Sequence, residues 1–140
     1  MWVEVLLFLF LGICALWDGI KKEIPLGIVW IGISVALILH ATGAMGEKTW
    51  LSIGVSVFPA AVFWMISFIT REKVGYGDGW ALLMIGLFVG SIKCFLILMI
   101  GLILESVILL ILLAFHKIRR DGEVPFVPFL LLGLGAVICL

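Results

Sequence analysis

A chain of 140 residues with nine basic and nine acidic side chains has no net charge, which excludes the basic footprint of a nucleic-acid binder. Its hydrophobic fraction of 65%, its charged fraction of only 13% and a mean hydropathy of +1.39 exclude a soluble globular domain and place nearly all of it in or at a lipid bilayer. The apolar runs are of helix-spanning length and lack the strict alternation of an outer-membrane strand. The expected fold is therefore all-α, a polytopic membrane helical bundle of about six transmembrane helices forming one domain over residues 1–140.

Polar clusters divide the chain into apolar segments at 2–17, 26–44, 50–70, 79–92, 94–115 and 124–140. The first opens with Glu4 instead of a basic residue and has no small-x-small cleavage site, so it reads as a permanent span and not a signal peptide. The second and sixth open at Pro25 and Pro125, where a missing N–H does little harm to a helix. Pro59 inside the third predicts a kink, and Gly86-x-x-x-Gly90 in the fourth predicts a close-packing face. The run from Trp80 to Phe115 is too long for one span at about 1.5 Å per residue, so two helices should meet in a tight turn near Gly90–Lys93.

Six spans put Lys21, Lys22, Arg71, Lys73, Lys117, Arg119 and Arg120 on one side of the membrane, and only Lys48 and Lys93 on the other. The asymmetry predicts that the first set faces the cytoplasm and that both termini are non-cytoplasmic. Cys14, Cys94 and Cys139 stand alone in apolar runs, which leaves no CxxC pair, and His40 and His116 are solitary and on opposite sides. No metal site and no Ser-His or Cys-His nucleophile is assembled from such residues.

Three acidic residues fall within or against the spans. Asp18 ends the first and Asp78 begins the fourth, both on the basic side, so two carboxylates sixty residues apart can meet. Neighbouring carboxylates in low-dielectric surroundings do not both ionise readily, and the pair shares one proton. The ionised member can take a proton from water while the protonated one donates, which is the chemistry of aspartic peptide hydrolysis. Gly75, Gly77 and Gly79 around Asp78 permit close backbone approach and unusual dihedrals, and predict an irregular, wet break in a membrane helix. Taken singly, each feature has a plainer reading: Asp18 as a solvated helix end beside Lys21 and Lys22, Asp78 as a helix N-cap, Gly75-x-x-x-Gly79 as a packing face. Glu105, near the middle of the fifth span, reads as a protonated, hydrogen-bonded side chain inside the bundle in preference to a substrate contact.

Asp18 followed by Ile24-Pro25, then Gly75-Tyr-Gly-Asp78 at a helix start, then Val124-Pro-Phe-Val-Pro-Phe-Leu130 with its Pro125 and Pro128, resembles the type IV prepilin peptidase family of GxGD intramembrane aspartyl proteases. The motifs come in the family's order and at matching points of the topology. The resemblance implies that Asp18 and Asp78 are the catalytic pair. Gly75, Gly77, Gly79, Ile24, Pro25, Pro125 and Pro128 would support them. Neither metal nor organic cofactor is implied. The substrate implied is a prepilin-like or pseudopilin-like precursor, whose short basic leader is removed at the cytoplasmic face of the cell membrane. Glu23 or Glu72 could receive leader charge. Larger members also N-methylate the product and carry paired CxxC motifs in an extra domain; this chain has neither, so methyltransferase activity is not expected of it. Trp80 stands where many relatives have a lysine. The rival from another class is a small membrane transporter or channel component that uses intramembrane carboxylates as proton or cation sites. It gives no reason for Ile24-Pro25 or the Pro-Phe-x-Pro-Phe run.

Overall fold

The computed structural model describes residues 1–46, 50–71, 75–117 and 124–140. Lys48, Glu72, Lys73, Arg119 and Arg120, used above for sidedness or substrate charge, lie outside the described residues. Six helices follow in order: α1 Trp2–Lys21, α2 Leu26–Ala41, α3 Trp50–Ile69, α4 Tyr76–Val89, α5 Ser91–Ala114 and α6 Val127–Cys139. By length and hydropathy α1, α3 and α5 can each cross a membrane, and the protein is a multi-pass membrane protein. The alternate helices α2, α4 and α6 are apolar but shorter.

The shortness of α4 suits its place. Gly79, Ala81, Leu82, Met84, Ile85, Gly86, Leu87 and Phe88 are all buried, so this helix presents little to lipid and is packed by α1, α2, α3 and α5. A helix apolar all round is the sequence form of such a central element. The outer helices show one buried stripe each and leave the rest, including Leu16, Phe68 and Leu110, for lipid. Two glycines set the closest approaches to a neighbouring backbone. A Cβ on Gly86 would collide with the carbonyl of Ser56 on α3, and one on Gly133 would lie 2.6 Å from the carbonyl of Ile97 on α5.

The tight turn is narrower than the sequence indicates. Gly90 alone separates α4 from α5, at φ 89° and ψ 167°, backbone that a side chain would disfavour. Gly90 is therefore the corner and not the second half of a packing face, a role left to Gly86. Beside this corner, Lys93 Nζ lies 2.9 Å from Glu4 Oε1 and ties the start of α5 to the start of α1. The pair is partly exposed, so Lys93→Met should lower stability by less than about 1 kcal/mol in detergent unfolding; a larger loss would mean the pair organises this end of the bundle. At the expected kink, α3 runs unbroken through the buried Pro59.

Candidate active site

In α1 the buried residues are Leu7, Leu11, Cys14, Ala15 and Asp18, a helical stripe whose last member is a carboxylate. Asp18 is only 5% exposed, so the reading of a solvated helix end does not hold for it. Its carbonyl accepts the Lys22 N–H at 2.8 Å, where the chain turns out of the helix with Lys22 in left-handed conformation. Its side chain is held from across the bundle: Oδ2 accepts the Val127 N–H at 3.2 Å, and the Phe126 N–H also points to the carboxylate.

The sequence around α6 explains those two bonds. The first amides of a helix have no partner within it, and Pro128 in the first turn brings no N–H of its own. The neighbouring amides of Phe126 and Val127 therefore need an acceptor, and the Asp18 carboxylate on α1 is in place to supply it. Pro25, the N-cap of α2, plays the simpler part of a helix opener; its carbonyl accepts the N–H groups of Ile28 and Val29.

Asp78 lies in the first turn of α4, four residues before buried Leu82 and seven before buried Ile85, on the same face. The helix begins at Tyr76, not at residue 79, and none of Gly75, Gly77 and Gly79 has a positive φ. Among the described residues the expected irregular backbone therefore does not extend to Asp78 itself, and the glycines serve close packing. A Cβ on Gly75 would meet Asp78 Oδ2 at 2.7 Å, and one on Gly77 would meet Ile24 Cδ1 at 3.1 Å. At Gly79 the place of a Cβ is taken by the Trp64 indole edge. Ile24, at the connection from α1 to α2, is thereby brought onto the glycine motif.

Asp18 and Asp78 lie close enough for their charges to interact, and Glu105 is also within electrostatic reach of Asp78. Glu105 extends the buried stripe Cys94, Ile97, Leu98, Gly101 of α5 by one turn. Counted from the Gly90 corner, at about 1.5 Å per residue, Asp78 is about 18 Å and Glu105 about 22 Å along antiparallel helices. Three carboxylates from α1, α4 and α5 thus share one end of the bundle, with Lys21, Lys22, Arg71 and Lys117 at the helix termini around them. The Glu105 side chain shows no hydrogen bond to another described residue, and it lies within electrostatic reach of Asp78. No group of three His, Cys, Asp or Glu among the described residues is placed to hold a metal ion. Cys14 and Cys94 are buried and unpaired, and the Cys94 Sγ–H donates to the carbonyl of Leu82 at 3.6 Å.

An aromatic cluster is built around Tyr76 and Trp80, two residues on either side of Asp78, and nothing in sequence patterning reveals it. The Trp80 ring packs on Trp30 of α2 at 4.6 Å between centroids and on Trp64 of α3 at 4.7 Å, with Tyr76 6.1 Å from Trp64. The frequent lysine of relatives is here an aromatic side chain that joins three helices. Trp64 Nε1 is buried and has no hydrogen-bond partner among the described residues, a state that costs about 1–3 kcal/mol and that the surrounding packing must offset.

The profile of the type IV leader peptidase family matches residues 5–115, which include Asp18, the glycine motif with Asp78, and Glu105. Neither a curated relative nor a solved structure matches the chain. With 111 of 140 residues inside the family profile (115 − 5 + 1) and the helices arranged as above, the chain belongs to the type IV leader peptidase family.

Proposed function

We propose that this protein is an aspartic endopeptidase that removes the short basic leader of a prepilin-like or pseudopilin-like precursor at the cytoplasmic membrane face. What supports this reading is that Asp18 and Asp78, sixty residues apart in sequence, come within electrostatic reach of each other in a chain of the leader-peptidase family. The two carboxyls hold one proton between them, and its location is a property of the pair. The ionised carboxylate accepts a proton from water as the water oxygen bonds to the scissile carbonyl carbon, and the protonated carboxyl donates to the carbonyl oxygen. Collapse of the tetrahedral intermediate breaks the C–N bond, and the leaving amine takes a proton from the dyad. The backbone amides of Phe126 and Val127 fix the direction of one carboxylate before substrate arrives, which lowers the reorganisation the reaction requires.

The basic residues around the site support a cytoplasmic placement of this end. They are accounted for by topology, since a positively charged leader gains nothing from meeting them. Methylation of the new amino terminus is assigned to no residue of this chain.

The test is coexpression with a prepilin-like precursor, followed by leader cleavage by the purified protein in detergent and by ion-flux measurement in reconstituted vesicles. Cleavage without flux is the expected result; flux without cleavage would establish the transporter reading in its place. Glu105→Gln is expected to insert normally and to keep cleavage within about tenfold of the parent, because the two aspartates suffice for general acid and base. A loss as large as that of an aspartate variant, read in the same gel assay, would make Glu105 a third member of the reacting set.

A further inference from the structure

We propose that Trp64 is a positioning residue that sets the direction of Asp78 by gripping the first turn of α4; the proposal rests on the peptidase reading of the site. Successive side-chain directions on a helix differ by about 100°, so fixing two neighbours of a residue fixes its own azimuth. Gly77, on one side of Asp78 in sequence, is seated against Ile24. Gly79, on the other side, is seated against Trp64, whose Nε1 and Cδ1 fill the place of a Cβ and whose Cε2 lies 3.0 Å from it. Asp78, between them, projects about 100° from each, and its carboxyl lies within electrostatic reach of Asp18.

Trp64 is itself immobilised by rings. Trp80 meets it edge-on at 63° between planes, Tyr76 lies nearly parallel to it at 24°, and Trp80 is backed in turn by Trp30 of α2. The outer rings, Trp30 and Tyr76, are exposed, while Trp64 and Trp80 are half-buried. The buried Nε1 without a partner fits the same picture: the ring is held where its contact with Gly79 requires it and not where its N–H would be satisfied. The described contacts of Trp64 are with Gly79 and the rings of Tyr76 and Trp80, all on α4, so its removal should misdirect Asp78 through that helix.

The experiment compares Trp64→Leu, Trp64→Phe and Gly79→Ala for leader cleavage and for folding in detergent. Trp64→Leu is expected to lower kcat by up to about a hundredfold, the scale of an ångström-sized misplacement, with KM changed less than about threefold. Trp64→Phe, which retains a ring against Trp80, should recover most of that loss. Gly79→Ala forces the same contact open, so Gly79→Ala combined with Trp64→Leu should be little worse than either alone. Undiminished kcat in Trp64→Leu, a loss carried mainly by KM, or losses that multiply in the double variant would each overturn the proposal. An activity-independent arm uses Asp18→Cys with Asp78→Cys in a chain lacking its native cysteines, joined by a short bifunctional thiol reagent. Cross-linking that falls when Trp64→Leu is added supports positioning even if the parent protein cleaves nothing. Cross-linking indifferent to Trp64 overturns it.

Discussion

Asp78→Asn is expected to lower leader cleavage by a factor on the order of a thousand or more while the protein still reaches the membrane. The substitution keeps the size of a half-buried side chain in the first turn of α4 and removes only its ability to carry a proton. An amide can neither accept the proton of the attacking water nor deliver one to the leaving amine. Asp18→Asn should be equally inactive and additionally less stable. The Asp18 carboxylate accepts the Val127 N–H at 3.2 Å, and the neutral amide oxygen of asparagine is a weaker acceptor for it than a carboxylate. The extra cost is about 1 kcal/mol, the difference between a charge-assisted and a neutral hydrogen bond. Gel mobility of a coexpressed precursor, with the membrane-fraction level of each variant, checks both expectations. Processing by either variant at the parental rate would remove the dyad.

Gly86→Ala is expected to destabilise the bundle by about 1–3 kcal/mol, the range for an atom inserted where neighbours cannot yield. The obstacle is backbone: the new methyl would run into the Ser56 carbonyl of α3, and the glycine sits in the most buried helix of the molecule. Relief requires α3 to move off α4, and α3 also carries Trp64 against Gly79, so activity should fall with stability. Gly12→Ala is the matched control. Nothing lies within 4 Å of a Cβ there, and replacing glycine within a helix gains about 0.5–1 kcal/mol in propensity. Thermal unfolding in detergent distinguishes the two, and equal midpoints would mean that the α3–α4 contact is looser than described.

Much of the architecture is legible along the chain because a membrane imposes it. Apolar segments long enough to be helices, parted by charged clusters, leave the backbone no other way to satisfy its hydrogen bonds in lipid. Six helices and the corner near Gly90 follow from that constraint. The carboxylates were legible for a related reason: Asp18, Asp78 and Glu105 each continue the buried face of their own helix, where charge is costly without a purpose. Helix limits were less so. The glycines suggest a break before Asp78, yet helical geometry runs back to Tyr76, with Gly77 packed against Ile24 and Gly79 against Trp64.

By itself, then, the sequence determined the class of protein and the succession of helices, and it singled out the two aspartates and a basic side as expectations, since each depends on local composition or on spacing along one helix. Only the tertiary structure decided that the free amides at the start of α6 are spent on Asp18, that Glu105 comes within electrostatic reach of Asp78, and that Trp64 and Trp80 bind three helices beside the motif. Those pairings join residues of different helices. Their partners are fixed by how the helices pack and rotate against one another, which no pattern within a single segment encodes.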